Sequence, residues 1–467
     1  MRARHGPWAA LALGALLSAP VIGPRPLFAG EAPPIPRFRD RAAEAGITHA
    51  YVGGWAHFVG GGAAVFDCDG DRMPEVLAAG GSAPLTLVRN RAGAGEALSL
   101  VADTPPELAI KGVIGAYPLH LDADDHVDLV ILRDGTNAVF LGQGNCRFRD
   151  ATAELGLAFD PADWTTAFSA TWEGDATLPT LAFGNYVDRR APDGPFGHCD
   201  DNLLFRPRDG RYPAPLRLAP GYCALSMLFS DWGHRGRQDL RISNDRHYYV
   251  RGGAEQLWAM EPVPRLYGRD DGWQKHELWG MGIASRDLDG DAIPEVFLTS
   301  MADQKLQALR DGATGPDFRN VPYDRGTTAQ RPYIGGDGRP STGWHAEFGD
   351  VNNDGRDDLL IVKGNVDAMP GSAMKDPNNL LLQGPDGRFA EAGDKAGIAS
   401  LARGRGGALV DLNLDGRLDI VVVNRRAPIE ILENTGPAPG HWIEIELTQD
   451  GPNRDLVGGW IEVRTDG

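Results

Sequence analysis

A nine-residue acidic loop that occurs four times constrains the fold of this chain more than any other feature of its sequence. In the copy that begins at Asp287, side-chain oxygens fall at positions 1, 3, 5 and 9, and Gly290 stands where the loop can turn sharply. Such a loop can direct its carboxylates, together with the carbonyl of Ile293, at one centre. About six to eight oxygen ligands, without sulfur or imidazole, favour Ca²⁺.

The predicted calcium ligands occupy the same four positions in every copy. They are Asp67, Asp69, Asp71 and Glu75 in the first copy, Asp287, Asp289, Asp291 and Glu295 in the second, Asp350, Asn352, Asp354 and Asp358 in the third, and Asp411, Asn413, Asp415 and Asp419 in the fourth. A solvated turn is the alternative for any single copy. Four copies in one context favour the metal, so we expect about four structural Ca²⁺ ions.

An EF-hand is the other structure that this spacing suggests. An EF-hand loop carries a carboxylate at position 12 and lies between two helices. Position 12 here is Leu298, and Glu295 is followed directly by an apolar, β-branched run over residues 296–299. The loop is therefore predicted to join two β-strands.

Degenerate copies of the loop lie between the first two full copies and give the sequence a period. They are His120, Asp122, Asp124 and Asp128; Asp231 and Asp239; and residues 172–180, which retain no ligand. The first positions of all copies are 52 to 63 residues apart, enough for four short strands and their connections. The sequence predicts an all-β, seven-bladed β-propeller with calcium loops in blades 1, 5, 6 and 7. In blade 4 we hypothesise that the guanidinium of Arg235 replaces the ion.

A second repeated element predicts how the ring closes. Residues 147–150 and 388–391 each end one blade, and a third copy, residues 37–40, precedes the first calcium loop. The last blade, whose strands run through Glu433, has no such element after it. We expect the N-terminal copy to form the outer strand of the last blade, which removes an open sheet edge. A disordered N-terminus is the alternative.

The two ends of the chain differ from the repeats. Arg2 and Arg4 precede an apolar run over residues 8–17 and a small-residue site near Ala29, a pattern typical of a cleaved secretory signal over residues 1–29. The propeller is predicted over residues 30–438. Alternating segments at 441–447 and 460–464 indicate the start of a small β module over residues 439–467, and no later segment is long and apolar enough to span a bilayer.

Charge and cysteine usage agree with export. The chain has 46 Lys and Arg against 64 Asp and Glu, a net charge of −18, which disfavours nucleic acid and anionic membranes as partners. We expect a protein or glycan partner at the cell surface or in the periplasm. Four cysteines in an exported chain are readily paired. Cys199 and Cys223 bracket one insertion and are the favoured pair, Cys68 and Cys146 can join neighbouring loops, and free buried thiols are the alternative.

Two groups of side chains are candidates for binding. Trp279, Trp344, His345, Arg403 and Arg405 lie in or beside Gly-rich segments that are predicted to begin the innermost strands, where they would bind a ligand or simply plug the axis. The second group follows the second strand of each blade, on the face opposite the calcium loops. It comprises Asn185, Asp188, Arg189, Arg190, Asn244, Asp245, Arg246, His247, Asp303, Lys305, Asn365, Asp367, Asn424, Arg425 and Arg426. This face is the better candidate for a partner, and ordinary solvated loops are the alternative.

The acidic loops resemble the FG-GAP or VCBS repeats of integrin-α-like propellers. Residues 184–188, 243–249 and 280–285, with His441, Trp442 and the segment 453–458, are similar to the cartilage-acidic-protein-like family, whose chains end in an ASPIC/UnbV module. The resemblance covers residues 37–467 and implies that this final module is truncated. It also implies an exported, calcium-binding propeller used for adhesion or interaction, and no established reaction.

The sequence therefore predicts a calcium-stabilised binding scaffold, and no catalytic residue is assigned. The alternative is a calcium-dependent polysaccharide lyase or glycoside hydrolase that uses a cleft on the propeller face. Arg246, His247, Tyr248 and Lys305 are the side chains that this alternative requires to converge.

Overall fold

The computed structural model describes residues 33–463, except 123, 193–196, 246–249, 337 and 438. The predicted secretory signal over residues 1–29 lies outside the described residues. Within them the chain forms twenty-eight strands, two helices of four residues each and four 3₁₀ turns.

The strands form seven four-stranded antiparallel sheets, which we number as blades 1 to 7 in chain order. The chain begins with β1 (Phe38–Asp40) and the helix α1 (Arg41–Glu44). Blade 1 then contains β2 (Ala63–Phe66), β3 (Glu75–Ala78), β4 (Thr86–Asn90) and β5 (Leu100–Ala102). Blade 2 contains β6 (Val113–Leu119), β7 (Asp128–Arg133), β8 (Ala138–Gly142) and β9 (Phe148–Asp150). Blade 3 contains β10 (Thr165–Thr171), β11 (Thr180–Asn185), β12 (Asn202–Phe205) and β13 (Leu216–Leu218).

The remaining blades repeat this order. Blade 4 contains β14 (Ala224–Ser230), β15 (Asp239–Asn244), β16 (Gln256–Ala259) and β17 (Arg265–Leu266). Blade 5 contains β18 (Gly280–Arg286), β19 (Glu295–Ser300), β20 (Lys305–Leu309) and β21 (Phe318–Asn320). Blade 6 contains β22 (Gly343–Gly349), β23 (Asp358–Lys363), β24 (Asn379–Gln383) and β25 (Phe389–Glu391), followed by α2 (Gly393–Ala396). Blade 7 contains β26 (Arg403–Val410), β27 (Asp419–Arg425) and β28 (Glu430–Asn434). The 3₁₀ turns are Trp55–His57, Pro106–Leu108, Arg269–Asp271 and Tyr323–Arg325.

The first strand of each blade lies at the centre of the ring. These strands contact one another from blade to blade, including blade 7 with blade 1, so the sheets close into a propeller. Backbones come so close at the axis that a Cβ atom at Gly406 would lie 2.6 Å from the carbonyl oxygen of Gly61. The expectation that the Gly-rich segments begin the innermost strands is confirmed.

The ring closes through the N-terminal strand. β1 pairs antiparallel with β28, with Phe38 opposite Asn434 and Asp40 opposite Leu432, and so becomes the outer strand of blade 7. Next to it the Arg41 Nε donates a hydrogen bond of 2.6 Å to Glu433. The sequence prediction of this closure is confirmed, because the related segments also form the outer strands β9 and β25.

The second strand of each blade carries most of the core. β23 and β27, for example, are buried along their whole length, since each lies between neighbouring blades. Val362 and Leu380 of blade 6 pack with Ile420 and Val422 of blade 7 in one cluster. Burying each such side chain contributes about 1.5–3 kcal/mol, so the blade-to-blade contacts hold the ring together.

Both disulfide pairings expected from the sequence form. Cys199 is bonded to Cys223, 24 residues away, and Cys68 is bonded to Cys146, 78 residues away. The second bond joins the acidic loop of blade 1 to the last turn of blade 2. The alternative of free thiols is therefore wrong for all four cysteines.

The described residues 439–463 form no strand, so the alternating segments at 441–447 and 460–463 are not paired. Two short strands cannot hold a sheet without further partners. Instead the segment contacts loops of several blades: Glu444 pairs with Arg72 at 2.9 Å, and the ring of Trp460 stacks on that of His234. The predicted β module over residues 439–467 stays a prediction.

Candidate functional site

The four full acidic loops all connect the first strand of a blade to the second, so they lie at one end of the ring. Position 9 is in each case the first residue of the second strand: Glu75, Glu295, Asp358 and Asp419. The prediction that these loops join two strands, and do not form an EF-hand, is confirmed.

The loops of blades 1 and 5 bring three carboxylates together. One oxygen from each of Asp67, Asp69 and Asp71 lies within 4.8 Å of the other two, and Asp287, Asp289 and Asp291 show the same arrangement. The backbone fixes this geometry, because the carboxylate of Asp67 accepts hydrogen bonds from the N–H groups of Gly70 at 2.7 Å and Arg72 at 2.8 Å. Asp287 accepts the equivalent pair from positions 4 and 6 of its own loop, at 2.8 and 2.9 Å.

The loops of blades 6 and 7 have asparagine at position 3, and the structure gives a reason. Asn352 Nδ2 donates to the carbonyl of Pro34 at 3.1 Å, and Asn413 Nδ2 donates to the carbonyl of Glu96 at 2.7 Å. An aspartate cannot donate these hydrogen bonds. The amide therefore ties the loop to a neighbouring segment while its oxygen remains on the loop side.

The position 9 carboxylates are buried, and their pKa values are raised. Burial, reinforced by the neighbouring loop carboxylates, raises the pKa of Glu75 and Glu295 to about 7 and that of Asp358 and Asp419 to about 8. A bound metal would favour their ionised forms.

Arginine side chains contact three of the four loops, which sequence reasoning missed. Arg89 binds Asp69 and lies 3.4 Å from Glu75 Oε1, while Arg356 binds Asp354 and Arg417 binds Asp415. Both Arg356 and Arg417 stand at position 7 of their loops, so that repeat was visible in the sequence. Arg89 lies on β4, away from its loop in sequence, and no local pattern indicates it.

The donor set fits a hard divalent cation. All predicted ligands are oxygens, the acids converge in blades 1 and 5, and buried oxygens of Asp69, Glu75 and Asn413 have no hydrogen-bond donor among the described residues. The only other cluster of this kind in the described part of the chain is Cys68, Glu75 and Cys146, whose sulfurs are joined in a disulfide. Positions 1, 3, 5 and 9 are therefore the residues that would hold Ca²⁺.

The degenerate loops are held by other contacts. In blade 2, His120 Nδ1 lies 2.8 Å from a carboxylate oxygen of Asp455. In blade 4 the guanidinium of Arg235 stacks on the ring of Trp232, 4.2 Å from its centroid, and donates to the carbonyl of Thr314. The guanidinium of Arg235 is thus engaged by an aromatic ring and a backbone carbonyl. The hypothesis that it replaces an ion stays a prediction.

A cavity of about 650 Å³ opens at the opposite end of the ring. Its walls come from the starts of first strands and the ends of second strands, which places it away from the acidic loops. The lining is mainly apolar and aromatic, and includes Trp55, Phe58, Trp279, Met281, Met301, Trp344, Val366 and Met369. The charged lining residues are Asp245, Asp367, Arg425 and Arg426.

Three arginines, Arg403 from the group predicted near the axis and Arg425 and Arg426 from the group predicted after the second strands, surround one aspartate. Asp367 Oδ1 lies 2.9 Å from Arg426, 3.3 Å from Arg403 and 3.8 Å from Arg425. Arg405 is buried behind this cluster, where its guanidinium stacks 4.1 Å from the Trp344 ring centroid and donates to the carbonyls of Phe58 and Val366.

The other predicted binding residues are dispersed around the face. His345 lies in the axial channel, 3.5 Å from Glu347, and does not line the cavity. Arg189 binds Asp134, Arg190 binds Asp188 and Asp200, and Lys305 pairs with Asp303. Asn185 and Asn244 are buried and bond to the backbone, as Asn365 and Asn424 do. Arg246, His247 and Tyr248 lie outside the described residues, so the convergence required by a carbohydrate-processing enzyme stays a prediction.

Together the strand pairing and the loops define a seven-bladed β-propeller with acidic inter-strand loops. No protein-family model matches this chain, and a search of curated proteins finds no match. Among solved structures the chain is similar to two crystal structures of BBS1N in complex with ARL6DN. The first, soaked with lead, has a TM-score of 0.46 and 9% identity over 84% of this chain and 96% of the other. The second, soaked with mercury, has a TM-score of 0.45 and 9% identity over 82% and 93%.

The propeller that the family resemblance implies is confirmed by the topology of the sheets. Membership of the cartilage-acidic-protein-like family, and the FG-GAP repeats as such, stay predictions. None of the described helices is long and apolar enough to cross a membrane.

Proposed function

We propose that this chain is an exported, calcium-stabilised scaffold that binds a protein or glycan partner on the face opposite its acidic loops. The observation that carries the proposal is the cavity at the end of the ring opposite the acidic loops, here called the axial cavity. It combines an apolar lining with four charged side chains. Concave, mainly apolar cavities of this size with a few polar groups are where folded proteins usually bind small molecules, and such a site on this face marks it as a binding surface. The two disulfides support export, because such bonds persist in oxidising compartments.

The proposed role of calcium is structural. Each full loop clusters acids at the inner end of a blade, where their mutual repulsion opposes folding. Calcium would supply the balancing charge there. The side chains at loop positions 1 and 9 shape the site. The carboxylate at position 1 binds the loop backbone, and position 9 anchors the loop to its second strand.

Calorimetric titration of the metal-stripped mature chain tests the calcium sites. We expect about four ions, a large rise in melting temperature on calcium addition, and one ion fewer after Asp354→Ala in blade 6. The matched control is Asp124→Ala in the degenerate loop of blade 2, which should leave the stoichiometry unchanged. One ion or none in the unmutated chain would reject the calcium proposal.

Quantitative capture from extracellular extract tests the binding face. In saturating calcium, the wild-type chain and the Asp354→Ala variant, which lacks one calcium site, should capture the same partners. Met301→Trp, which fills the cavity, should lose them. Val263→Trp is the control, because Val263 is 80% exposed and does not line the cavity. Equal capture by all variants would show that the partner binds elsewhere, and release by free oligosaccharide would identify a glycan partner.

A further inference from the structure

We propose that the axial cavity binds a small ligand that has an apolar body and a single anionic group. This inference rests on the proposed function, since it names the chemistry that the binding face recognises. Two features of the cavity carry it: an apolar, adaptable lining and a surplus of positive charge on one wall.

The lining sets the size and character of the ligand body. A volume of about 650 Å³ falls within the usual range for small-molecule sites. Met281, Met301 and Met369 contribute flexible thioether side chains that adapt to irregular apolar shapes. Trp55 is 42% exposed and Met369 is 37% exposed, so apolar surface continues to the mouth of the cavity. A ligand body of aromatic or aliphatic carbon would cover this surface.

The charges on the wall favour an anion over a cation. Both acids of the cavity already have donors: Asp245 accepts a hydrogen bond from the Tyr186 hydroxyl, and Asp367 is surrounded by Arg403, Arg425 and Arg426. With Arg405 buried behind, four guanidinium groups lie near a single carboxylate. Among the described residues the positive charge of this wall is therefore only partly balanced.

Arg425 gives the most direct sign of a missing acceptor. Its side chain is 1% exposed, and its Nε–H makes no hydrogen bond among the described residues, because the Asp367 carboxylate lies 3.8 Å away, too far to accept one. Burial lowers the pKa of Arg425, and the neighbouring arginines lower it further. A buried guanidinium donor without an acceptor is destabilising, and a carboxylate or sulfonate beside Arg425 and the more exposed Arg426 would relieve it.

Fluorescence titration with two matched probes tests the inference. 1-Anilinonaphthalene-8-sulfonate and N-phenyl-1-naphthylamine share one aromatic body, and only the first carries a negative charge. With the mature chain in calcium we expect one site, with the sulfonate bound about tenfold more tightly. Arg426→Gln should remove this preference and leave binding of the neutral probe unchanged. Arg319→Gln is the control, because Arg319 is similarly exposed, at 48% against 45%, but lies on β21.

A competition experiment needs no variant, and so does not depend on how a substituted cavity folds. Decanoate should displace the bound sulfonate probe, and decylammonium should not. Equal displacement by both amphiphiles, or equal affinity for the two probes, would overturn the anionic part of the proposal. Undiminished probe binding to a folded Met301→Trp variant would overturn the cavity as the site.

The two proposals fail in different ways. If the chain binds the probes charge-selectively but captures no partner, the proposed scaffold function is rejected and the proposed ligand site is retained. Partner capture that depends on the cavity, without probe binding, would overturn this inference and leave the scaffold.

Discussion

Removal of the Cys68–Cys146 disulfide is expected to destabilise the propeller more than removal of Cys199–Cys223. The two bonds span 78 and 24 residues, and a disulfide that closes a longer loop restricts the unfolded chain more. In the chain-entropy description the loops correspond to about 4.5 and about 3.4 kcal/mol. The longer one also joins blade 1 to blade 2, where Cys146 N–H donates to the carbonyl of Cys68 at 2.8 Å.

Differential scanning calorimetry of the two double serine variants, in saturating calcium, measures the difference. Unfolding roughly 430 ordered residues gives an entropy of about 0.9 kcal/mol/K, so the expected decreases in melting temperature are about 5 °C and about 4 °C. Denaturant unfolding measures the two losses of stability as free energies of unfolding, and the same order of the two variants is expected. A Cys68→Ser/Cys146→Ser variant that is as stable as wild type, or more stable than Cys199→Ser/Cys223→Ser, would refute the loop-length reasoning.

Three further predictions concern the stability of the ring. Burial raises the pKa of Glu255 to about 7, so the folded protein keeps a proton that the unfolded chain loses above about pH 4.5. This group should make stability fall with rising pH by up to about 1.4 kcal/mol per unit, in addition to the slope from the other buried acids. Glu255→Gln should reduce the slope measured by urea unfolding at pH 5 and 6.5 by that amount. Arg41→Ala should lower the free energy of unfolding by about 2 kcal/mol, because it leaves the buried Glu433 carboxylate without its cation. Adding Glu433→Gln should restore part of this loss, and a double variant no more stable than the single one contradicts the prediction. Gly406→Ala should lower the free energy of unfolding by about 1–3 kcal/mol, because its Cβ would lie 2.6 Å from a carbonyl oxygen at the axis. The control is Gly371→Ala, which should melt like wild type because a Cβ at that position would have no atom within 4 Å.

The ring and its closure could be predicted because their signals are local and repeated. Each blade has one acidic or degenerate loop at a regular interval, and the outer-strand segment at residues 37–40 repeats that of β9 and β25. No outer-strand segment follows β28 in blade 7, whereas one precedes blade 1. Pairing of β1 with β28 therefore completes blade 7. The cysteines follow the same logic, since each pair lies in loops that the blade order brings together.

The cavity and the contacts of Arg89 and Asp367 could not be predicted, because they depend on residues that are distant in sequence. Arg89 reaches Asp69 from another strand, and Asp367 meets Arg425 from a different blade. The stacking of Arg235 on Trp232 could not be predicted either, because loop spacing does not reveal which aromatic face a guanidinium contacts. The alternation at 441–447 predicted a strand, but no neighbouring edge pairs with it.

The carboxylate at position 9 explains how blades persist after most ligands have been lost. In blade 6 the two oxygens of Asp358 accept hydrogen bonds from Val351 N–H in the loop and Gln383 N–H at the end of the third strand. Asp128 makes the same two contacts in the degenerate blade 2, to Leu121 and Gly142.

Asp239 of blade 4 keeps the third-strand contact, to Met260 N–H, and its second oxygen accepts hydrogen bonds from side chains, including the Trp232 indole and the Tyr267 hydroxyl. Position 9 therefore joins three parts of one blade whether or not an ion is bound. Blade 3 has Thr180 at this position, and the hydroxyl is buried without a hydrogen-bond partner among the described residues. The Cys199–Cys223 bond connects blade 3 to the start of blade 4 and so gives blade 3 a covalent link to its neighbour. Loss of the remaining acids would remove the proposed metal site, whereas loss of the position 9 carboxylate removes the hydrogen bonds that join these parts of the blade.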